Sequence, residues 1–304
     1  MKNLTRLLSL HELQPEQLHE LLQLALQIKH QPQQYQQALA GKSIAMLFEK
    51  PSLRTRVSFD VGIQKLGGHS VYLDQQNGAM GQRETVEDFG RNLACWTDAI
   101  VARVYSQATL EKLAASSGIP VVNALSDLYH PCQALADLMT LHEQCGDLAQ
   151  VQLAYVGDGN NVCHSLMLGA ALSGMKLVVI TPPNYGPDGH VLQRALQIAA
   201  KTGGVIQLSH ELLAADGSQA LYTDTWLSMG DQADPAELMR RFSAYQVSSE
   251  VLQRLSIRYL MHCLPAHRGQ EVTSEVLDSD ASLVLQQAEN RMHVQNAVLV
   301  QLLA

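Results

Sequence analysis

Short apolar runs alternate with helix-length amphipathic segments along almost the whole chain, and this rhythm restricts the fold more than any single residue does. In the first half, Ile44–Phe48, Val71–Leu73, Ile100–Val104 and Val121–Leu125 read as strands, with helices predicted over Ser52–Leu66, Glu84–Cys95 and Thr109–Ser116. Strands that read as unbroken hydrophobic runs, each followed by a helix, imply a parallel sheet with crossover helices. A second series comprises Val151–Val156, a helix after Asn161, Leu177–Ile180, a helix over Val191–Ala200, a short strand near Val205, and the strands Leu221–Thr225 and Ile257–Met261. Pro15–Lys29 precedes the first series as a helix, with the Pro in its first turn. Pro131 opens a helix through Ala134, Leu135, Leu138 and Leu141 that stops at Gly146 and bridges the two series, and Val294–Leu303 reads as a final helix packing back on the first domain. The predicted fold class is α/β: two domains with parallel sheets flanked by helices, bridged by interdomain helices.

Composition agrees with that division. A chain of 304 residues with 46% hydrophobic content has the material for two cores. Lys and Arg total 21 against 29 Asp and Glu, a formal charge of −8 that opposes a general nucleic-acid surface but leaves room for a local basic pocket holding a small anion. The five cysteines form no C-x-x-C pair, which favours a reduced, cytoplasmic setting. No stretch approaches the roughly 20 apolar residues of a membrane span, so neither membrane insertion nor export is expected.

In open parallel sheets ligands bind beyond the carboxyl ends of the strands, so the polar residues after each apolar run carry the functional signal. The first cluster, Ser52-Leu53-Arg54-Thr55-Arg56, sets hydroxyls, unsatisfied backbone N–H groups and guanidinium donors at a helix start, which suits a phosphate. Alone, that basic pair is more often a solvated surface feature, and Arg103 after the next strand is as often a strand-edge residue. In His130-Pro131-Cys132-Gln133, His and Gln flank a helix-starting Pro within reach of one small acceptor. The blander reading of His130 is a capping or core histidine; with no C-x-x-C or H-E-x-x-H nearby, zinc is not expected, and neutral hydrogen bonding to a polarised carbonyl is the better role.

Gly157-Asp158-Gly159-Asn160-Asn161 has the start of a dinucleotide fingerprint but not its later glycine, so a polar substrate or a simple turn fits better than a nicotinamide cofactor. Asp224 opens Asp224-Thr225-Trp226-Leu227-Ser228-Met229-Gly230 and can pair with an ammonium, a helix cap being the alternative. Cys263, in His262-Cys263-Leu264-Pro265-Ala266, is alone no more than a small buried hydrophobe.

Together and in this order, SLRTR, HPCQ, GDGNN, DTWLSMG and HCLPA closely resemble the ornithine carbamoyltransferases across essentially the whole chain. The resemblance implies transfer of the carbamoyl group of carbamoyl phosphate to the side-chain amine of L-ornithine, with no cofactor and no metal, in a homotrimer or an assembly of trimers. It implies a carbamoyl-phosphate domain over 1–140 joined by the C-terminal helix 289–304, and an ornithine domain over 141–288. Carried over residue by residue, Ser52, Leu53, Arg54, Thr55 and Arg103 form the anion site. His130, Gln133 and Arg291 hold the carbamoyl end. Asn161, Asp224, Ser228 and Met229 match the ornithine site, and Cys263 and Leu264 match the segment that meets both substrates. The catalytic set so implied is Arg54, Thr55, His130, Asp224, Cys263 and Arg291.

Two positions depart from the family pattern. Leu53 stands where Thr is most frequent, removing a hydroxyl but not its N–H, and Ala79 stands where relatives commonly offer Gln or His toward a neighbouring subunit, leaving Asn77 or Gln82 to supply that contact. An aspartate carbamoyltransferase would call for basic groups in the second domain, whereas Asp224 and Cys263 favour an amine-bearing substrate. A non-catalytic ligand-binding protein on the same fold is the reading from another class, and it has only Leu53 and Ala79 in its favour.

Overall fold

The computed structural model describes residues 4–73, 80, 84–226 and 234–304. The chain forms two compact units, Met1–Met139 with Asn290–Ala304, and Thr140–Glu289. Among the described residues, no helix is long and apolar enough to cross a membrane.

The first unit contains α1 (Pro15–His30), β1 (Ser43–Phe48), α2 (Leu53–Lys65), β2 (His69–Leu73), α3 (Val86–Ala94), β3 (Ala99–Arg103), α4 (Gln107–Ser117), β4 (Val121–Leu125) and the start of α5 (Pro131–Cys145). Its sheet is parallel with order β2-β1-β3-β4. After β2 the chain returns to the other side of β1, so the carboxyl ends of β1 and β3 flank a topological switch point. The register pairs Phe48 with Arg103 there. One face of the sheet, including Ala45, Leu47, Ile100 and Ala102, packs with Leu93, Leu110 and Leu113 from α3 and α4. Local chemistry sets the helix ends: the Thr85 side chain caps α3, and Gly118 at φ 71° closes α4 in the left-handed region.

The second unit adds β5 (Gln152–Val156), α6 (Asn161–Leu172), β6 (Lys176–Ile180), α7 (Gly189–Thr202), β7 (Val205–Ser209), β8 (Ala220–Thr223), α8 (Pro235–Phe242), α9 (Ser249–Arg254), β9 (Tyr259–His262), α10 (Ser274–Leu277) and α11 (Val284–Leu303). Its parallel order is β7-β6-β5-β8-β9, which places a second switch point between β5 and β8. Val156 pairs with Thr223 and Thr223 with His262, so the segments leaving β5, β8 and β9 emerge side by side. Its core includes Ala154, Val156, Val178, Ile180, Leu221 and Leu260 packed with Leu252, Leu255, Val272 and Val276. The chain passes between units inside α5 and again inside α11.

The helices expected at 131 and at the carboxyl terminus are present, but α11 begins ten residues before the predicted Val294. Its first half points Gln287, Asn290, Arg291 and His293 inward, so buried positions there carry polar residues and the apolar period disappears from the sequence. β2 likewise begins at the polar His69 and Ser70, because it is an edge strand with half-exposed residues. The short helices α8, α9 and α10 had no counterpart in the sequence reading.

Candidate active site

At the first switch point, Ser52 lies just ahead of α2 in extended conformation, and its Oγ accepts the Thr55 N–H at 3.3 Å as an N-cap. The same hydroxyl donates to Thr55 Oγ1 at 3.0 Å, and Arg291 Nη2 from α11 donates to that oxygen at 3.0 Å. Thr55 is fully buried, and with two donors on its oxygen, its own hydroxyl proton is left to be offered to a ligand. The backbone N–H groups of the first turn of α2 point the same way by helix geometry. Leu53 is 75% exposed and Arg54 and Arg56 are exposed, with the Arg56 guanidinium stacked 3.8 Å from the centre of the Tyr72 ring.

Arg103, at the end of β3, is only 4% exposed, and His130 and Arg291 are similarly buried. Burial holds His130 well below the ordinary imidazole range, and the positive fields of Arg291 and Arg103 push it further in the same direction. His130 is therefore neutral, able to donate or accept a hydrogen bond without adding charge. Burial pushes the Cys132 thiol up to about 12, with Arg291 opposing the shift, so Cys132 stays a thiol inside the core. Gln133 is fully buried and donates through Nε2 to Asp137 Oδ1 at 2.7 Å, one turn along α5, while its Oε1 has no protein partner among the described residues.

At the second switch point the chain leaves β5 through Gly157, whose φ of 147° favours glycine, and Asn160 caps α6. Gly159 sits against the backbone of Gly186 and Pro187, too close for a side chain. Asp224 follows β8 and is 6% exposed. Its Oδ1 accepts Thr225 N–H at 2.8 Å and the Cys263 thiol at 3.0 Å, and its Oδ2 accepts Asn160 Nδ2 at 2.8 Å. Asn161 is the first residue of α6.

The Cys263-Leu264 turn is held from beneath. Leu264, at φ 56°, donates its N–H to His262 Nδ1 at 2.9 Å. That acceptor role leaves the proton on Nε2, which faces Glu271 Oε1 at 3.1 Å, with both side chains fully buried. Glu271 Oε1 also accepts the His267 N–H at 2.5 Å.

Asp224, His262 and Cys263 bring ligand-type atoms within 4.8 Å of one another. A metal would have to break one of the two His262 contacts, to the Leu264 N–H or to Glu271, to use that ring, while Asp224 and Cys263 are already bonded to each other.

The structure thus brings Ser52, Thr55 and Arg291 together, sets Arg103 and His130 within mutual electrostatic reach of Arg291, and joins Asp224 to Cys263. Ser228 and Met229, with Leu227, lie outside the described residues, as do Asn77, Ala79 and Gln82. Sequence reasoning passed over Asn160, Glu271 and Asp137. The first stood beside the more obvious Asn161; the other two lie within a loop and a helix, where nothing in the sequence says what they touch.

Residues 5–143 match the family model described as aspartate/ornithine carbamoyltransferase, carbamoyl-P binding domain, and residues 149–302 match its Asp/Orn binding domain. The chain is 57% identical over 295 residues to an ornithine carbamoyltransferase of Shewanella oneidensis, covering 97% of this chain and 98% of that one. It is similar to the solved ornithine carbamoyltransferase of Pyrococcus furiosus at 44% identity and a TM-score of 0.95, over 100% of this chain and 99% of that one. An anabolic ornithine carbamoyltransferase of Campylobacter jejuni is similar at 32% identity and a TM-score of 0.92, over 97% and 98% of the two chains.

Proposed function

The chain belongs to the aspartate/ornithine carbamoyltransferase family, and from that premise we propose that it transfers the carbamoyl group of carbamoyl phosphate to the side-chain amine of L-ornithine, forming L-citrulline and phosphate. The observation that carries the choice of acceptor is the buried Asp224 carboxylate, bonded to the Cys263 thiol, at the carboxyl end of β8. A carboxylate there attracts an ammonium and repels an acidic acceptor.

In this reading Ser52, Leu53 through its N–H, Arg54, Thr55 and Arg103 hold the phosphate. His130 and Arg291 donate to the carbamoyl oxygen, and Gln133 Oε1 accepts from the carbamoyl NH2. Asn161, Ser228 and Met229 hold the amino-acid head of ornithine, while Asp224 and Cys263 orient its side-chain nitrogen and Leu264 adds a backbone contact. The neutral amine attacks the carbonyl carbon, a C–N bond forms, and negative charge grows on the oxygen facing fixed donors. The C–O bond to phosphate then breaks, and the amine proton leaves with the phosphate as hydrogen phosphate. No covalent enzyme intermediate is needed. Because the amine must lose a proton before attack, turnover at saturation should rise from neutral to mildly alkaline pH.

The proposed assembly is a homotrimer or a set of trimers. Exposed Leu53 and Val57 on α2 and Val71 on the edge strand β2 give it an apolar surface, which sedimentation tests. Five free thiols suit a cytoplasmic location. The deciding experiment is citrulline formation from carbamoyl phosphate and L-ornithine, with aspartate, putrescine and N-acetylornithine as rival acceptors. Turnover confined to ornithine is expected. A better rate with another acceptor would overturn the assignment of the second unit, and binding without turnover would favour a non-catalytic role.

A further inference from the structure

The recognition of ornithine by Asp224 rests on the function proposed above, and we propose that Asn160 is the positioning residue that aims it. Asn160 Oδ1 accepts the N–H groups of Val162 at 2.9 Å and Cys163 at 3.2 Å, and the Tyr155 hydroxyl lies 3.4 Å from it. Two backbone N–H donors on one atom settle which end of the amide is oxygen, the Tyr155 proton going to the Asp158 carbonyl at 2.7 Å. The NH2 end must therefore face the other way, where it donates to Asp224 Oδ2 at 2.8 Å.

An ionised carboxylate offers about four acceptor directions. Asn160, Thr225 and Cys263 fill three, two on Oδ1 and one on Oδ2. The direction that remains lies on Oδ2, beside Asn160. Asp224 can then take a single N–H of an incoming amine along a fixed line, and a second N–H stays free to lose its proton and expose the lone pair that attacks. Without the Asn160 amide, Oδ2 offers two directions instead of one while Thr225 and Cys263 still hold Oδ1, so the amine is attracted but not aimed. The clamp is rigid because the same amide is tied to the first turn of α6, on which Asn161 sits.

Capping and positioning can be separated by substitution. Asn160→Ser keeps a good N-cap, but its hydroxyl is too short to reach Asp224, whereas Asn160→Ala loses both roles. Both purified variants and the unsubstituted enzyme would be assayed for citrulline formation, for inhibition by norvaline, which keeps the amino-acid head and carbon chain of ornithine but lacks its side-chain amine, and for Tm. Both variants should raise the KM for ornithine about tenfold to a hundredfold, the range for losing a hydrogen bond to a charged group. The norvaline inhibition constant and the KM for carbamoyl phosphate should stay within about twofold, and the Ala variant, which also loses the cap, should lose more Tm than the Ser variant. A Ser variant with wild-type KM for ornithine overturns the proposal, as does equal weakening of ornithine and norvaline. Absence of citrulline from the unsubstituted enzyme would instead overturn the functional reading itself.

Discussion

A Cβ added at Gly62, in the last turn of α2, would lie 2.2 Å from Asn296 Oδ1, 3.2 Å from its Cγ and 3.4 Å from Met292 Cγ on α11. An ordinary carbon–oxygen contact is about 3.3 Å, so the amide would have to retreat by about 1 Å. Asn296 is 2% exposed and has no open solvent to move into. Two opposing effects then meet in Gly62→Ala. Replacing glycine within a helix is worth about 1 kcal/mol in favour of the variant. Overpacking a closed helix contact costs about 1–3 kcal/mol, so the clash wins and the variant is less stable by about 1 kcal/mol.

The sign should reverse once Asn296 is shortened. Asn296→Ala removes the obstructing oxygen, which has no protein partner among the described residues, so adding Gly62→Ala to it should gain about 1 kcal/mol. Urea unfolding of the four proteins in this cycle would give a coupling energy of about 2 kcal/mol. The effect reaches the candidate site, because α2 also carries Thr55 and α11 carries Arg291, joined at 3.0 Å. Pushing the helices apart should lengthen that bond, raising the KM for carbamoyl phosphate in Gly62→Ala and restoring it in the double variant. Gly62→Ala that is neutral or stabilising with Asn296 in place would refute the reasoning, since it would mean that the two helices have room to spare.

Three other changes test separate parts of the structure. Because His130 is held neutral in the fold, the unfolded chain takes up a proton below about pH 6.5 that the folded chain does not, so stability should fall as pH drops through that point, by up to about 1.4 kcal/mol per pH unit. His130→Gln should flatten the slope by that amount below pH 6.5 and leave it unchanged above; parallel curves would show that His130 titrates normally. Glu271→Gln keeps the volume but weakens the hold on His262 and His267, and should cost about 1–3 kcal/mol of stability and lower kcat, with an unchanged kcat separating the buried pair from the Leu264 turn. Gly159→Ala would set a Cβ 2.3 Å from Pro187 N and 2.4 Å from the Gly186 carbonyl carbon, backbone that cannot rotate aside. It should raise the KM for ornithine while leaving carbamoyl phosphate binding, measured by calorimetry, as it was.

The α/β class was legible because buried parallel strands leave continuous apolar runs, and runs such as Ile44–Phe48 cannot be mistaken for one face of an amphipathic helix once Pro51 follows them. The polar clusters were legible because they follow those runs directly. Their adjacency was not. Nothing in the one-dimensional order says that the segment after β8 lies between those after β5 and β9; strand order and register supply that, and with it the bond from Cys263 to Asp224. The first half of α11 was hidden for a related reason. A helix that turns Gln287, Asn290 and Arg291 toward the interior has exchanged its hydrophobic period for polar groups, so the residues of greatest chemical interest erase the pattern that would reveal their helix.

The two units organise their polar groups on one principle. Three groups that would meet a substrate have other hydrogen-bonding directions occupied by the protein: Thr55 Oγ1 by Ser52 and Arg291, Gln133 Nε2 by Asp137, Asp224 by Asn160, Thr225 and Cys263. What is left over is a single donor or acceptor with a defined aim, so little reorganisation is needed as charge develops during reaction. The sign of these leftovers also differs between units. The first, apart from the acceptor Gln133 Oε1, offers donors beside Arg103, Arg291 and a neutral His130, which suits an anion; the second offers the free edge of a carboxylate. An acidic acceptor brought to Asp224 would meet a like charge in a buried setting, where screening by water and salt is weakest. A buried carboxylate at the carboxyl end of β8 therefore favours an amine-bearing acceptor over an acidic one, and replacing Asp224 with Asn should erode the preference for ornithine more than it affects the holding of carbamoyl phosphate.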